Sequence, residues 1–283
     1  MFDGGAFNVF DPDFVTFCDS RAKEVIEPKK DWANFLGWMS DNELQCDSTM
    51  LDSFLAADWT DPRNAYTYAA AWTFLMDYTG EENPSMADVD DIMRQDFLDF
   101  MYDRYHKVVS DAIHKYAPGH MYLGVRAVDK AYPSRGFWAA AGRYCDAICV
   151  NYYGAWTPDS AMMTDWSEWS GNTPFIVTEW YAMALDSGLA CSSGAGFLVN
   201  TQQDRGKFYQ NFALKLLETK SCVGFHWFQY LDNDPTGAAG DASNVDGNKG
   251  IISIFTYKPY TELVTEMAEL NRQVYNVIDY FDN

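Results

Sequence analysis

Two short apolar runs in this chain each end in a carboxylate. Phe35-Leu36-Gly37-Trp38-Met39 leads through Ser40-Asp41-Asn42 to Glu43, and Pro174-Phe175-Ile176-Val177-Thr178 leads to Glu179. Each reads as a buried strand that delivers a glutamate at its C-terminal end. Two glutamates presented from separate parallel strands suit the cleavage of a glycosidic bond with retention, in which one carboxyl protonates the leaving oxygen and the other attacks the anomeric carbon. Glu43 fits the acid/base part, with Asn42 beside it able to bond a neighbouring sugar hydroxyl. Glu179, followed by Trp180 and Tyr181, fits the nucleophile beside an aromatic surface. Plainer alternatives stand next to both: Glu43 could be a helix-start carboxylate in a loop, with Ser40 to Glu43 capping a following turn, and Glu179 could be a strand-end partner in an ion pair.

The elements that must position these groups follow from periodicity. Asp11-Pro12 through Ile26 has a helix start and a helical apolar period that stops before Pro28. A strand is expected over residues 33–40, an irregular loop over 46–62, and helices near 64–78 and 85–116. Ile92, Phe97, Phe100, Met101, Tyr105, Val108, Val109 and Ile113 form the apolar stripe of the longer helix. Then the alternation is regular. Strands at 121–127, 147–152, 175–179 and 222–228 are interleaved with helices near 134–144, 160–169 and 202–219, and a last helix covers about 260–280. Ala147-Ile148-Cys149-Val150 and Phe175-Ile176-Val177 are continuous apolar runs, as where helices cover both faces of a parallel sheet. The pattern is α/β. Five strands are counted where a closed (β/α)8 TIM barrel has eight, and nothing divides the 283 residues into two domains, so residues 1–283 read as a single partial barrel.

Composition narrows the partners. A net charge of -21 repels phosphate backbones and anionic membrane surfaces, which disfavours nucleic acid and membrane. No apolar run is long enough to cross a bilayer, and Met1-Phe2-Asp3-Gly4-Gly5 lacks the pattern of a signal peptide. Aromatic residues make up 17% of the chain, and their flat faces suit stacking on sugar rings. The six cysteines form no CxxC pair and no zinc-type cluster; Cys149 and Cys222, inside apolar runs, read as free thiols.

Other candidates carry two readings each. Arg126 closes a strand and could hold a sugar hydroxyl or an anionic substituent, or pair with one of the abundant carboxylates. His226 in Phe225-His226-Trp227-Phe228 could be a core histidine or a substrate contact. His106, His114 and His120 receive no role. The loop from Asp232 through Asp234, Asp241, Asn244 and Asp246 to Asn248 invites a calcium reading but lacks EF-hand spacing, so turns are expected there instead. Residues 188–196 lack the context of a phosphate loop.

These segments together resemble the retaining TIM-barrel glycoside hydrolases. Gly37 to Leu44, His120 to Arg126, Val177 to Tyr181, Gly224 to Asn233 and Asn248 to Ile251 are most similar to agarase and porphyranase-like enzymes. The resemblance implies a chain equivalent to the C-terminal five β/α units, without the first three strands. It implies cleavage of a β-linked galactan such as agarose or porphyran, with no cofactor and a poly- or oligosaccharide substrate. Glu43 would be acid/base and Glu179 nucleophile. Tyr153, or its neighbour Tyr152, would donate a hydrogen bond to Glu179, and Trp227 would be a stacking floor. Export is implied by the resemblance alone. Two other functions fit the same residues: a non-catalytic carbohydrate-binding fragment, and a β-galactosidase-type hydrolase of shorter substrates.

Overall fold

The computed structural model describes residues 8–237, 241 and 244–283. In chain order the principal elements are α1 (Pro12–Val25), β1 (Gly37–Trp38), β2 (Asp41–Asn42), α2 (Met50–Leu55), α3 (Ala65–Thr79), α4 (Asp91–Tyr116), β3 (Met121–Tyr122), β4 (Val125–Arg126) and α5 (Arg135–Tyr144). They continue with β5 (Ile148–Asn151), α6 (Ser160–Trp169), β6 (Phe175–Glu179), β7 (Ala182–Ala184), β8 (Phe197–Val199), α7 (Gln202–Glu218), β9 (Cys222–Phe225) and α8 (Thr261–Asp282). The chain forms two compact units, residues 1–149 with 165–174 and residues 150–164 with 175–283. The strands make three short parallel pairs, β1 with β3, β2 with β4 and β7 with β8, and a three-stranded sheet in the order β5-β6-β9, and among the described residues they do not close into a barrel.

In the first unit the expected strand over 33–40 is shorter and shifted. Only Gly37–Trp38 and Asp41–Asn42 pair, in parallel with Met121–Tyr122 and Val125–Arg126. The partner stretch is interrupted in the same place, where Gly124 turns left-handed with φ +73. A Cβ there would lie 3.0 Å from the Cys145 sulfur. Backbone bonds carry the sheet onward, from the Ala127 amide to the Cys149 carbonyl (2.9 Å) and from the Ile148 amide to the Pro174 carbonyl (2.9 Å). Part of the stretch 46–62 folds into α2, which buries Met50, Leu51, Phe54 and Leu55. The gap in the apolar period between Cys46 and Met50 hides this helix in the sequence.

Helix α4 is the spine of this unit. Asp90 caps it by accepting from the Met93 amide (2.8 Å), and its stripe buries Phe97, Met101, Tyr105, Val109 and Ile113. Ile92 and Phe100 of the expected stripe are exposed, although Phe100 still stacks on Phe10 at 5.3 Å. Helix α5 packs along α4 and is fastened by Gln95, whose Oε1 accepts from the Gly136 amide (3.1 Å) and the Ser134 hydroxyl (3.2 Å). Trp138 and Trp166 stack at 4.7 Å with both rings buried.

In the second unit β6 is buried along its whole length and pairs in parallel with β9, Phe175 opposite Cys222. Helix α7 opens with a capping box between Thr201 and Asp204 and lays Phe208, Phe212 and Leu216 into the core, while α8 packs against its flank. The parallel pair β7 and β8 was not expected. Ala182-Met183-Ala184 and Phe197-Leu198-Val199 are each only three residues long, and so show no readable period. The described cysteines are all free thiols.

Two outcomes follow from this packing. A Cβ on Gly136 would sit 2.0 Å from the Gln95 carbonyl oxygen, whereas one on Gly119 would meet nothing within 4 Å. Gly136→Ala should therefore lower stability by about 1–3 kcal/mol, as overpacking against backbone does, with Gly119→Ala close to neutral; urea unfolding measures both. On the acid side, Lys130 and the Thr49 amide push the Asp47 carboxyl down to about 2. A carboxylate held below its unfolded value adds stability that is complete above the unfolded pKa and lost as pH falls through the folded one. Lys130→Met should lower the urea midpoint at pH 5, and the difference from the parent should vanish below about pH 2.

Candidate active site

Glu179 closes β6 and is 7% exposed. The Tyr152 amide donates to the Glu179 carbonyl at 2.8 Å, and the Thr178 hydroxyl donates to Asn151 Oδ1 (2.9 Å) and the Val150 carbonyl (3.2 Å), which locks the strands in register. In extended backbone, successive side chains leave opposite faces. Tyr152 accordingly goes inward: it is 3% exposed, accepts from the Asp159 amide (2.8 Å) and meets the Phe212 ring edge-on at 5.5 Å. Tyr153 goes the other way, and its hydroxyl donates a short hydrogen bond to Glu179 Oε2. The two tyrosines that the sequence leaves as alternatives thus have different neighbours, and Tyr153 touches the carboxylate.

Trp180 departs from its expected place as an aromatic surface for substrate. It is fully buried, stacked on Phe212 at 4.5 Å and on Tyr209 at 5.0 Å, because the residue after a strand-end glutamate points back to the helix layer, here α7. Its indole nitrogen has no hydrogen-bond partner among the described residues. The ring supports β6 from behind. Trp227 is half-buried, and its indole N–H donates to the Lys249 carbonyl at 2.8 Å. His226 is exposed, its amide bonded to the Val177 carbonyl at 2.8 Å, so the core-histidine alternative does not hold.

A set of buried charges behind Trp227 gave no signal in the sequence. Arg205 on α7 is fully buried and donates to the Ala182 carbonyl (2.8 Å), Gln202 Oε1 (2.8 Å) and the Gly250 carbonyl (2.9 Å). Its guanidinium lies 5.4 Å from the Trp227 ring and 5.3 Å from the Tyr260 ring. Burial pushes its pKa down to about 10, so it stays cationic at neutral pH. Asp232, also fully buried, accepts from Asn248 (2.9 Å), the Gly250 amide (2.8 Å) and the Tyr260 hydroxyl (2.6 Å). Lys249 is 1% exposed, pairs with Asp241 at 2.6 Å and lies over the Tyr181 and Phe228 rings. An arginine or lysine on a surface helix or in a Gly/Asn loop reads as solvated until its burial is seen.

These bonds also bear on the calcium reading. Asp232, Asp234, Asp241 and Asp246 all accept hydrogen bonds from protein donors, while residues 238–240 and 242–243 of the same loop lie outside the described residues. Among the described residues there is no group of three or more potential metal ligands.

Glu43 belongs to the other unit. It follows β2 directly, its amide bonded to the Arg126 carbonyl at 3.2 Å, and it is exposed with a left-handed backbone of φ +54. The helix-start alternative fails at this position. The next helix, α2, begins at Met50, and the carboxylate bonded to the amide just before it is that of Asp47, which accepts from Thr49 at 3.0 Å. Asn42 and Arg126 are register partners across β2 and β4, so both lie beside the Glu43 turn. One unit therefore gathers Glu43, Asn42 and Arg126, and the other gathers Glu179, Tyr153, Trp227 and His226.

No family model matches the chain. Over 187 residues, 65% of its length, it is 33% identical to beta-agarase B of Vibrio sp. (strain JT0107), and the match covers 19% of that protein. The crystal structure of BpGH50 superposes with a TM-score of 0.82 at 36% identity, covering 97% of this chain and 57% of that one. An exo-beta-agarase superposes with a TM-score of 0.79 at 25% identity, covering 95% and 39%. The chain thus spans about a fifth of the curated agarase that it matches and little more than half of the BpGH50 structure. By sequence and by fold it is a relative of the agarase-like glycoside hydrolases and corresponds to part of their (β/α)8-barrel fold.

Proposed function

We propose that this chain carries the catalytic carboxylates of a retaining glycoside hydrolase that cuts a β-linked galactan of the agarose or porphyran type, residues 1–283 serving as one catalytic domain. The observation that supports this most is Glu179 at the end of a fully buried strand with one carboxylate oxygen held by the Tyr153 hydroxyl. A nucleophile needs its carboxylate held in one orientation, and the Tyr153 hydroxyl, donating to Oε2, orients it. The relationship to beta-agarase B supports the substrate class.

In the first step Glu179 attacks the anomeric carbon as the Glu43 carboxylic acid gives its proton to the glycosidic oxygen, and the carbon–oxygen bond to the leaving sugar breaks. The Glu43 carboxylate then takes a proton from water, the water oxygen bonds to the anomeric carbon, and the ester to Glu179 is released. The net change is addition of water with two inversions. Asn42 and Arg126 beside Glu43 suit hydroxyl or anionic groups of the galactan. Trp227, its back supported by Arg205, suits stacking on a sugar ring.

Purified protein incubated with agarose and with porphyran should release oligosaccharides whose new reducing ends keep the β configuration by proton NMR. Glu179→Ala should be inactive, and azide should restore turnover with an α-glycosyl azide product. Glu43→Ala should fall by about 10²–10⁴-fold and give a β-glycosyl azide. Tyr153→Phe should lose about 10–100-fold, the worth of one hydrogen bond to a charged group. Inverted product, or a Glu179→Ala form as active as the parent, would sink the retaining mechanism. Binding of galactan oligosaccharides without hydrolysis would favour the binding fragment, and hydrolysis of aryl galactosides alone would favour the short-substrate enzyme.

A further inference from the structure

We propose that Asp41, together with the hydrogen-bond chain His106, Tyr122, Ser40 and Tyr105 that ends on it, positions the Asn42-Glu43 turn for proton transfer; this rests on the acid/base role proposed for Glu43. The turn needs such an anchor. Glu43 holds a left-handed backbone without being glycine, and conformations of that kind persist only where the surroundings over-determine them. The Glu43 amide bonds the Arg126 carbonyl at 3.2 Å, the upper end of the ordinary range. Two residues earlier, Asp41 is tied to helix α4.

The chain can be followed atom by atom. The Tyr105 hydroxyl makes a short bond to Asp41 Oδ2 and lies 2.9 Å from Ser40 Oγ. Ser40 Oγ is 3.1 Å from the Tyr122 hydroxyl, which is 2.9 Å from His106 Nδ1. Tyr105 is 2% exposed, and Tyr122 and His106 are fully buried. Each hydroxyl has one proton to give. With the Tyr105 proton on the carboxylate, Ser40 donates to Tyr105, Tyr122 donates to Ser40, and His106 Nδ1–H donates to Tyr122. Ser40 has a longer alternative at the Gly124 carbonyl, 3.3 Å away. This order leaves a lone pair on His106 Nε2, rather than an N–H, without a partner in the interior, and that nitrogen has none among the described residues. All the donors then point toward Asp41, and bonds aligned in one direction reinforce one another.

Charge is confined to one end. Burial pushes His106 down to about 3, so the far end stays neutral in any working range. Asp41 is pushed up by burial and pulled back by the Tyr105 hydroxyl. The groups facing it are Cys18 and Arg21 of α1, which line the same cavity of about 450 Å³, Tyr102 and Tyr105 of α4, and Tyr122 of β3. Removing the Tyr105 hydroxyl therefore leaves burial unopposed, and Asp41 ionises only at higher pH.

The test compares the parent with Tyr105→Phe, with the milder Ser40→Ala, and with Glu43→Gln, using galactan hydrolysis and carbon-13 NMR of the Asp41 carboxyl. Tyr105→Phe should lower kcat about 10–100-fold, the scale of a displacement of about 1 Å, with KM within about twofold. The acid limb of its pH profile should move to higher pH, and Ser40→Ala should shift it in the same direction by less. The NMR midpoint of Asp41 should rise in both variants, a readout that needs no turnover. An unmoved midpoint in both overturns the chain whatever the kinetics. Parental kcat and acid limb in Tyr105→Phe, alongside an inactive Glu43→Gln, overturn the positioning role. A Glu43→Gln form as active as the parent instead brings down the acid/base assignment, while the NMR still judges the chain.

Discussion

The bond from the Tyr152 amide to the Glu179 carbonyl fixes which way every side chain in its neighbourhood points. Register in a sheet has a period of two, so a slip by one residue would exchange the inside and outside of the strand end. With this register Tyr152 is a core residue and Tyr153 a partner of the carboxylate, and Trp180 is turned into the helix layer. Thr178 reinforces the arrangement by bonding to both Val150 and Asn151. The chemistry proposed for Glu179 depends on that register more than on any single side chain.

Behind Trp227 the molecule tolerates what is ordinarily costly, two buried cations and a buried carboxylate. Burying a charge is tolerable when hydrogen bonds replace its water. Arg205 finds carbonyl and amide oxygens for three of its donors and ring faces for its plane, and Asp232 finds three donors. Among the described residues none of the ion pairs is between these two groups, so each is solvated by its own polar shell. That shell includes backbone from β7 and from the loop near Gly250, which ties the Trp227 ring to a rigid background. Such networks set geometry more than they add stability, since an apolar replacement of the same shape often costs little.

The Glu43 end is built differently. There the carboxylate stands on an exposed, left-handed residue after a two-residue strand, and order comes from helix α4 through side-chain hydroxyls rather than from a long ladder. Short strands give few backbone bonds, so side chains carry the positioning.

Much of the architecture was legible in the sequence. The ends of α1, α6 and β6 agree with periodicity and capping to within a residue, because their apolar spacing and breakers, such as Pro28 and Pro174, are local signals. The strand expected over residues 33–40 shrank, α2 was hidden, and β7 with β8 went unseen, since two- and three-residue strands are made by their partners and not by their own pattern. The sequence by itself determined that two glutamates follow apolar runs and that the chain is α/β. Tertiary structure decided the exposure of Glu43, the hydrogen bond of Tyr153 and not Tyr152 to the Glu179 carboxylate, the burial of Trp180 and the charges behind Trp227. Those depend on register and on which helix lies behind a strand, and both are fixed by contacts between residues far apart in the chain.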